Sequence, residues 1–177
     1  MLDAWFNHRL DPYLNKLAQW TGVIKPNHLT LLGLLITLVA AAVLALGWWI
    51  WGGIAIIVAG LFDLLDGAVA RSQGRVTVFG AFLDSVIDRY SDFALFIGLF
   101  FYYAAHGHPY QMLLASFAAM GSFLVPFTRA RAETVIPSCK VGIMERPERI
   151  ILLACGALFN VMIYILWILA VFTHITV

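Results

Sequence analysis

Apolar stretches close to the thickness of a bilayer, separated by short polar joints, constrain this chain more than any other feature. A helix needs about 20 residues to cross ~30 Å of hydrocarbon. Residues 29–50, 51–70, 79–105 and 109–127 approach or exceed that length, and a last run covers 150–177. A water-soluble globule is excluded: 62% of the 177 residues are hydrophobic and 12% are charged, about half the charged share of an average soluble domain. The pattern predicts an all-α, polytopic integral membrane protein with a single domain over residues 1–177. Cys139 and Cys155 show no paired spacing and read as reduced and structural. The opening residues lack a basic start, apolar core and small-residue cleavage site, so Met1 is expected to begin the working protein.

The final 28 residues are too many for one crossing and too few for two full ones. Asn160 near their middle predicts a turn between two short helices, 147–159 and 161–177, for six transmembrane spans, with five as the alternative. Ahead of the first span, residues 2–20 read as an interfacial amphipathic helix. Leu2, Trp5, Phe6, Leu10, Tyr13, Leu14 and Leu17 share one face, and Asp3, Asn7, Arg9, Asp11, Asn15 and Lys16 the other. Trp48, Trp49 and Trp51 suit an interfacial aromatic belt.

Orientation follows from charge. All eleven basic residues fall before the first span or around the joints after the second and fourth, and the ten acidic residues lie on the same side. Because Lys and Arg mark cytoplasmic loops, the chemistry is expected to face the cytoplasm from a cell inner membrane.

Four acids crowd this face. Asp63 and Asp66 are three apart and Asp84 and Asp88 four apart, at the facing ends of consecutive spans, so each pair shares a helical face. Ionised carboxylates about 4 Å apart repel by roughly 4 kcal/mol at an effective dielectric of 20. They therefore need protons or cations. Hard oxygen ligands without His or Cys suit Mg²⁺ or Mn²⁺, and four carboxylates suffice for two divalent cations. Gly67, Ala68, Ala70, Gly80 and Ala81 allow close approach between the acids. Arg71 supplies a planar fork for phosphate oxygens. Acids near membranes also mark ion paths, so a divalent-cation transporter is the rival reading. It is disfavoured by acids at span ends and by the lack of an internal repeat.

Asp63-x-x-Asp66-Gly67-x-x-Ala70-Arg71, eight residues, then Gly80-x-x-x-Asp84-x-x-x-Asp88 resembles the complete signature of the CDP-alcohol phosphotransferases, integral membrane enzymes of phospholipid synthesis. The resemblance implies a six-helix fold, a homodimer, and a polar cavity open to the cytoplasm and to lipid. It implies that Asp63, Asp66, Asp84 and Asp88 hold two divalent ions, that Gly67 and Arg71 contact the CDP moiety, and that Asp88 is the general base. The nucleotide and CDP-lipid contacts also take in the motif positions Ala70 and Gly80. Pro26-Asn27-x-x-Thr30 is similar to the family's nucleotide-contacting turn, which assigns Asn27 and Thr30 to that site, and Thr77 is expected at the diphosphate.

Residues 127–133, Phe-Thr-Arg-Ala-Arg-Ala-Glu, and 142–149, Gly-x-x-Glu-Arg-Pro-Glu-Arg, resemble the subgroup that makes phosphatidylinositol phosphate or its archaeal ether-lipid counterpart. Arg129, Arg131, Arg146 and Arg149 are the candidates for binding the acceptor's phosphate; pairing with Glu133, Glu145 and Glu148 is the structural alternative. Arg129 stands where the subgroup usually has Lys, which leaves glycerol 3-phosphate as an alternative to inositol 1-phosphate. Asp92, one turn beyond Asp88, is expected either to orient that base or to bind Arg89. The partners implied are CDP-diacylglycerol, a phosphorylated polyol and membrane lipid, with no nucleic acid.

Overall fold

The computed structural model describes residues 26–74, 76–139 and 141–177, and six helices account for most of them. The interfacial helix expected over 2–20 lies outside the described residues. Helix α1 spans Pro26–Ala45, α2 Trp49–Ser72, α3 Val78–Ala105, α4 Pro109–Ala132, α5 Arg146–Leu158 and α6 Met162–Thr176. No strand occurs among the described residues.

Local chemistry sets the boundaries. Pro26 and Pro109 stand at the starts of α1 and α4, where a missing N–H costs nothing. The α1 stretch, expected to reach Ile50, ends at Ala45 because Gly47 takes a φ of 79° and reverses the chain. Trp48 and Trp51 stay exposed, whereas Trp49 turns inward onto Tyr102, edge to face with ring centroids 4.5 Å apart. Helix α4 continues past the expected end at Phe127, through Pro126, to Ala132. Thr128 Oγ1 donates to the Leu124 carbonyl at 2.9 Å, and Arg129 and Arg131 lie in the last turn, where cations suit the helix dipole. Asn160, with a φ of 54°, makes the turn that divides the last apolar run into α5 and α6.

The principal helix contacts form a closed cycle: α1 packs on α2 and α3, α2 on α5, α5 on α6, α6 on α4, and α4 on α3. All six contribute to one apolar core, including Leu44, Ile56, Leu99, Ala118, Leu153 and Leu166. Small residues permit the close crossings. A Cβ at Gly98 of α3 would collide with the Ala41 backbone of α1. Buried Thr37 and Thr173 satisfy their hydroxyls on the carbonyls of Gly33 and Leu169, four residues back in their own helices.

The outer surface is apolar. Leu35, Leu38, Ile50, Trp51, Phe101, Phe123 and Trp167 are all exposed, far more hydrocarbon than a water-facing monomer presents. Among the described residues, α1, α2 and α4 are long and apolar enough to cross a membrane, and α6 is a shorter apolar helix. Because the helices alternate in direction, the described charges gather at one end of the bundle, and the joints at 46–48, 106–108 and 159–161 carry no Asp, Glu, Lys or Arg.

The Gly98 crossing makes a testable demand. Gly98→Ala should lower the melting temperature in detergent, with a cost of about 1–3 kcal/mol from overpacking. Gly60→Ala, where the nearest atom to a new Cβ would be 3.7 Å away, should melt like the parent protein. Identical melting of all three would mean that α1 and α3 do not meet backbone to side chain.

Candidate active site

The last turns of α2 and the first turns of α3 present their acids to one another. Ligand oxygens of Asp63, Asp66 and Asp84 lie within 4.8 Å of one another. Asp66 is 6% exposed, and its Oδ2 is buried without a hydrogen-bond partner among the described residues. An ionised oxygen left so would cost several kcal/mol. Three converging carboxylates, one with an orphaned oxygen, therefore fit a divalent cation, and the all-oxygen set matches Mg²⁺ or Mn²⁺ rather than zinc.

Asp88 is not part of that trio. It stands one turn along α3, with Oδ1 2.9 Å from Arg146 Nη1 and Oδ2 3.5 Å from Arg89 Nη1. The same Arg146 Nη1 donates to Asp63 Oδ2 at 2.6 Å. One guanidinium from the start of α5 thus joins carboxylates of α2 and α3.

Behind it lies a second pair. Arg149, 2% exposed, donates from Nη2 to Asp92 Oδ2 at 2.6 Å and from Nη1 to the Met144 carbonyl at 3.2 Å. Arg146 Nε lies 3.5 Å from Asp92 Oδ1. Asp92 therefore serves Arg149 and Arg146, while Arg89 lies against Asp88. Of the two roles expected for Asp92, the pairing with Arg89 is not the one seen, and Asp92 reaches Asp88 through Arg146, which they share.

The four arginines assigned to the acceptor phosphate do not form one open cluster. Arg146 is engaged with the acids, and Arg149 is sealed between Asp92 and a backbone carbonyl. Arg129 is bonded to Glu145, whose carboxyl it holds below the usual range. Arg131 is exposed at the end of α4. Arg129 is thus paired with the carboxylate of Glu145, and Arg149 with that of Asp92.

The residues expected at the nucleotide gather at the other side of the acids. Arg71 folds back over Gly67, so that a Cβ there would stand 3.2 Å from its Nη1. Thr77 caps α3 by accepting from the Gly80 N–H at 3.0 Å. A Cβ at Gly80 would meet Thr77 Oγ1 at 3.0 Å and Asn27 Oδ1 at 3.7 Å, so the starts of α1 and α3 face each other. Thr30 is buried one turn into α1, with its hydroxyl donating to the Pro26 carbonyl, and Ala70 sits partly covered beside Arg71. A largely apolar cavity of about 290 Å³ opens between α1, α2, α3 and α5, and Thr30, Asp63, Ile87, Ser91, Arg146 and Ile150 are among its walls.

Sequence reasoning missed the bridge through Arg146 and the Asp92–Arg149 pair. A signal existed: Asp84, Asp88 and Asp92 recur every four residues on α3, and Arg146 and Arg149 share a face of α5.

Comparison with known proteins agrees with this geometry. A family model described as CDP-alcohol phosphatidyltransferase matches residues 23–176. An archaetidylinositol phosphate synthase of Pyrococcus horikoshii is 39% identical over 154 residues, 86% of this chain and 79% of that relative. A crystal structure of Mycobacterium tuberculosis phosphatidylinositol phosphate synthase with CDP-DAG bound superposes with a TM-score of 0.83 at 31% identity, covering 92% of this chain and 88% of that one. The same enzyme in complex with manganese and citrate gives a TM-score of 0.83 at 31% identity, covering 92% and 84%.

The buried pair supplies a stability test. Arg149→Met strips Asp92 of its 2.6 Å partner and leaves only Arg146 Nε at 3.5 Å, and should cost up to about 3–5 kcal/mol. Adding Asp92→Asn should recover part of that loss in a detergent melting series. A double variant no more stable than Arg149→Met alone would argue against direct coupling.

Proposed function

Since the chain belongs to the CDP-alcohol phosphatidyltransferase family and is accordingly a membrane transferase of phospholipid synthesis, we propose that it moves the phosphatidyl group of CDP-diacylglycerol onto a hydroxyl of inositol 1-phosphate and releases CMP. The observation that carries this reading is the convergence of Asp63, Asp66 and Asp84, with Asp88 one turn beyond, at the family's signature positions. The inositol phosphate acceptor is favoured because the named relatives at 36–39% identity are phosphatidylinositol and archaetidylinositol phosphate synthases.

Asp63, Asp66, Asp84 and Asp88 would hold two divalent cations. When bound, such ions neutralise diphosphate oxygens and the charge that develops on the departing nucleotide. The protein's own groups do the rest. Arg71, lying over Gly67, offers its fork to the diphosphate, and Asn27, Thr77 and Gly80 border the nucleotide. Acyl chains remain in the lipid beside the apolar outer face.

The acceptor hydroxyl is oriented beside Asp88, which takes its proton. The hydroxyl oxygen bonds to the phosphorus that carries diacylglycerol, the bond from that phosphorus to the bridging oxygen breaks, and CMP leaves with the electron pair. Arg131 and Arg129 flank the approach of the acceptor's own phosphate. In this reading the six helices are six spans, a surface helix over 2–20 precedes them, and the site opens to the cytoplasm from the inner membrane of a homodimer. The cation-transporter reading falls with the family assignment.

Asp63→Asn, Asp84→Asn and Asp88→Asn should each cut CMP formation by more than about 100-fold, beyond what loss of a merely supporting contact costs. Insertion and purification should be unaffected. Near-normal turnover in these variants would remove the mechanism.

The acceptor can be settled with purified protein, CDP-diacylglycerol and four alternatives: inositol 1-phosphate, glycerol 3-phosphate, serine and free inositol. Inositol 1-phosphate should give the highest kcat/KM. A preference for glycerol 3-phosphate would reassign the product, and a preference for an unphosphorylated alcohol would refute a phosphate role for the arginines.

A further inference from the structure

We propose that Arg146 is the built-in counter-cation of the aspartate site: it closes the site when no divalent ion is bound and is driven off Asp63 and Asp88 when one enters. This rests on the cation-binding reading above and adds a mobile part to it. Arg146 Nη1 lies 2.6 Å from Asp63 Oδ2 and 2.9 Å from Asp88 Oδ1, so it occupies oxygens that a divalent ion would need. A guanidinium and a metal ion compete for those oxygens, because at contact distance like charges would face each other in a partly dehydrated pocket.

The surrounding contacts leave Arg146 free to yield. Asp92 is already balanced by Arg149, which is 2% exposed and also bonded to the Met144 carbonyl. Arg146 is thus the cation at the start of α5 whose close partners are the site acids Asp63 and Asp88. Its Nε is buried without a hydrogen bond, 3.5 Å from Asp92 Oδ1, so attraction to Asp92 tethers it with no fixed hydrogen-bond geometry. The cavity of about 290 Å³ has both Asp63 and Arg146 in its wall, which gives the displaced side chain room to turn. Once displaced, its fork carries an unspent positive charge beside the acids, suited to an acceptor phosphate. Cation and phosphate binding are then linked, each strengthening the other.

The test is Mn²⁺ binding to the purified full chain in detergent, followed by the loss of the free-ion EPR signal, for the parent, Arg146→Gln and Arg146→Lys. Arg146→Gln should bind Mn²⁺ at least 10-fold more tightly than the parent. Arg146→Lys, which keeps the charge but has a shorter reach and no second nitrogen to lie against Asp92 while its ammonium meets Asp63 and Asp88, should fall between, and decides the matter if the Gln variant does not fold. Equal or weaker binding in the variants beside a parent that binds Mn²⁺ overturns the exchange and leaves the cation site standing. Failure of the parent and both variants to bind Mn²⁺ overturns the cation site and the exchange together. In the parent, saturating Mn²⁺ should also tighten binding of inositol 1-phosphate; a gain of the same size in Arg146→Gln would refute the transfer of Arg146 to the phosphate.

Discussion

Carboxylates cannot be crowded into a partly dehydrated space without positive charge among them, and the charged end of this bundle is organised around that constraint. Asp63, Asp66 and Asp84 bring ligand oxygens within 4.8 Å of one another. Their mutual repulsion is of the order of several kcal/mol even with strong screening. Arg146 meets it from one side, and a divalent ion would meet it from the other. A structural ion pair would have needed one acid and one base; here Asp63, Asp66 and Asp84 converge and, among the described residues, only Asp63 of the three has an arginine at contact distance, an arrangement suited to accepting a cation.

The fold serves this arrangement by bringing distant segments to one level. Asp63 and Arg146 are 83 residues apart in the chain, yet they touch. They meet because α2 and α5 are neighbours in the cycle of helices and because alternating helix directions return each joint after an even-numbered helix to the same end. Close crossings such as Gly98 against Ala41 keep the bundle tight enough for side chains of ordinary length to reach across it. Burial of Asp92 with Arg149 then anchors the start of α5 against α3.

Much of the helical architecture was legible in the chain, because long apolar helices announce themselves through length and hydropathy, and the charged end of the bundle through the placement of Arg and Lys in alternate joints. Asn160 marked the turn between α5 and α6, for an asparagine in a long apolar run is costly unless the backbone turns there. Boundaries were less legible. Nothing in the apolar run after Pro26 distinguishes Ala45 from Ile50 as an end point until Gly47 adopts a positive φ, and Pro126 did not stop α4.

The sequence by itself determined which acids lie on one face of α2 and of α3, that the side-chain donors there are oxygen alone, and that Arg71 follows within two turns of Asp66. Helical periodicity is local, so such relations within a helix need no tertiary knowledge. Only the tertiary structure decided the pairing of α5 with the acids. Five basic residues around the last polar joint look equivalent in the chain, yet Arg146 reaches Asp63 and Asp88, Arg149 is sealed on Asp92, and Arg129 is taken by Glu145. That division follows from which face of α5 turns toward α2 and α3, a matter of packing across the bundle that spacing along the chain does not encode.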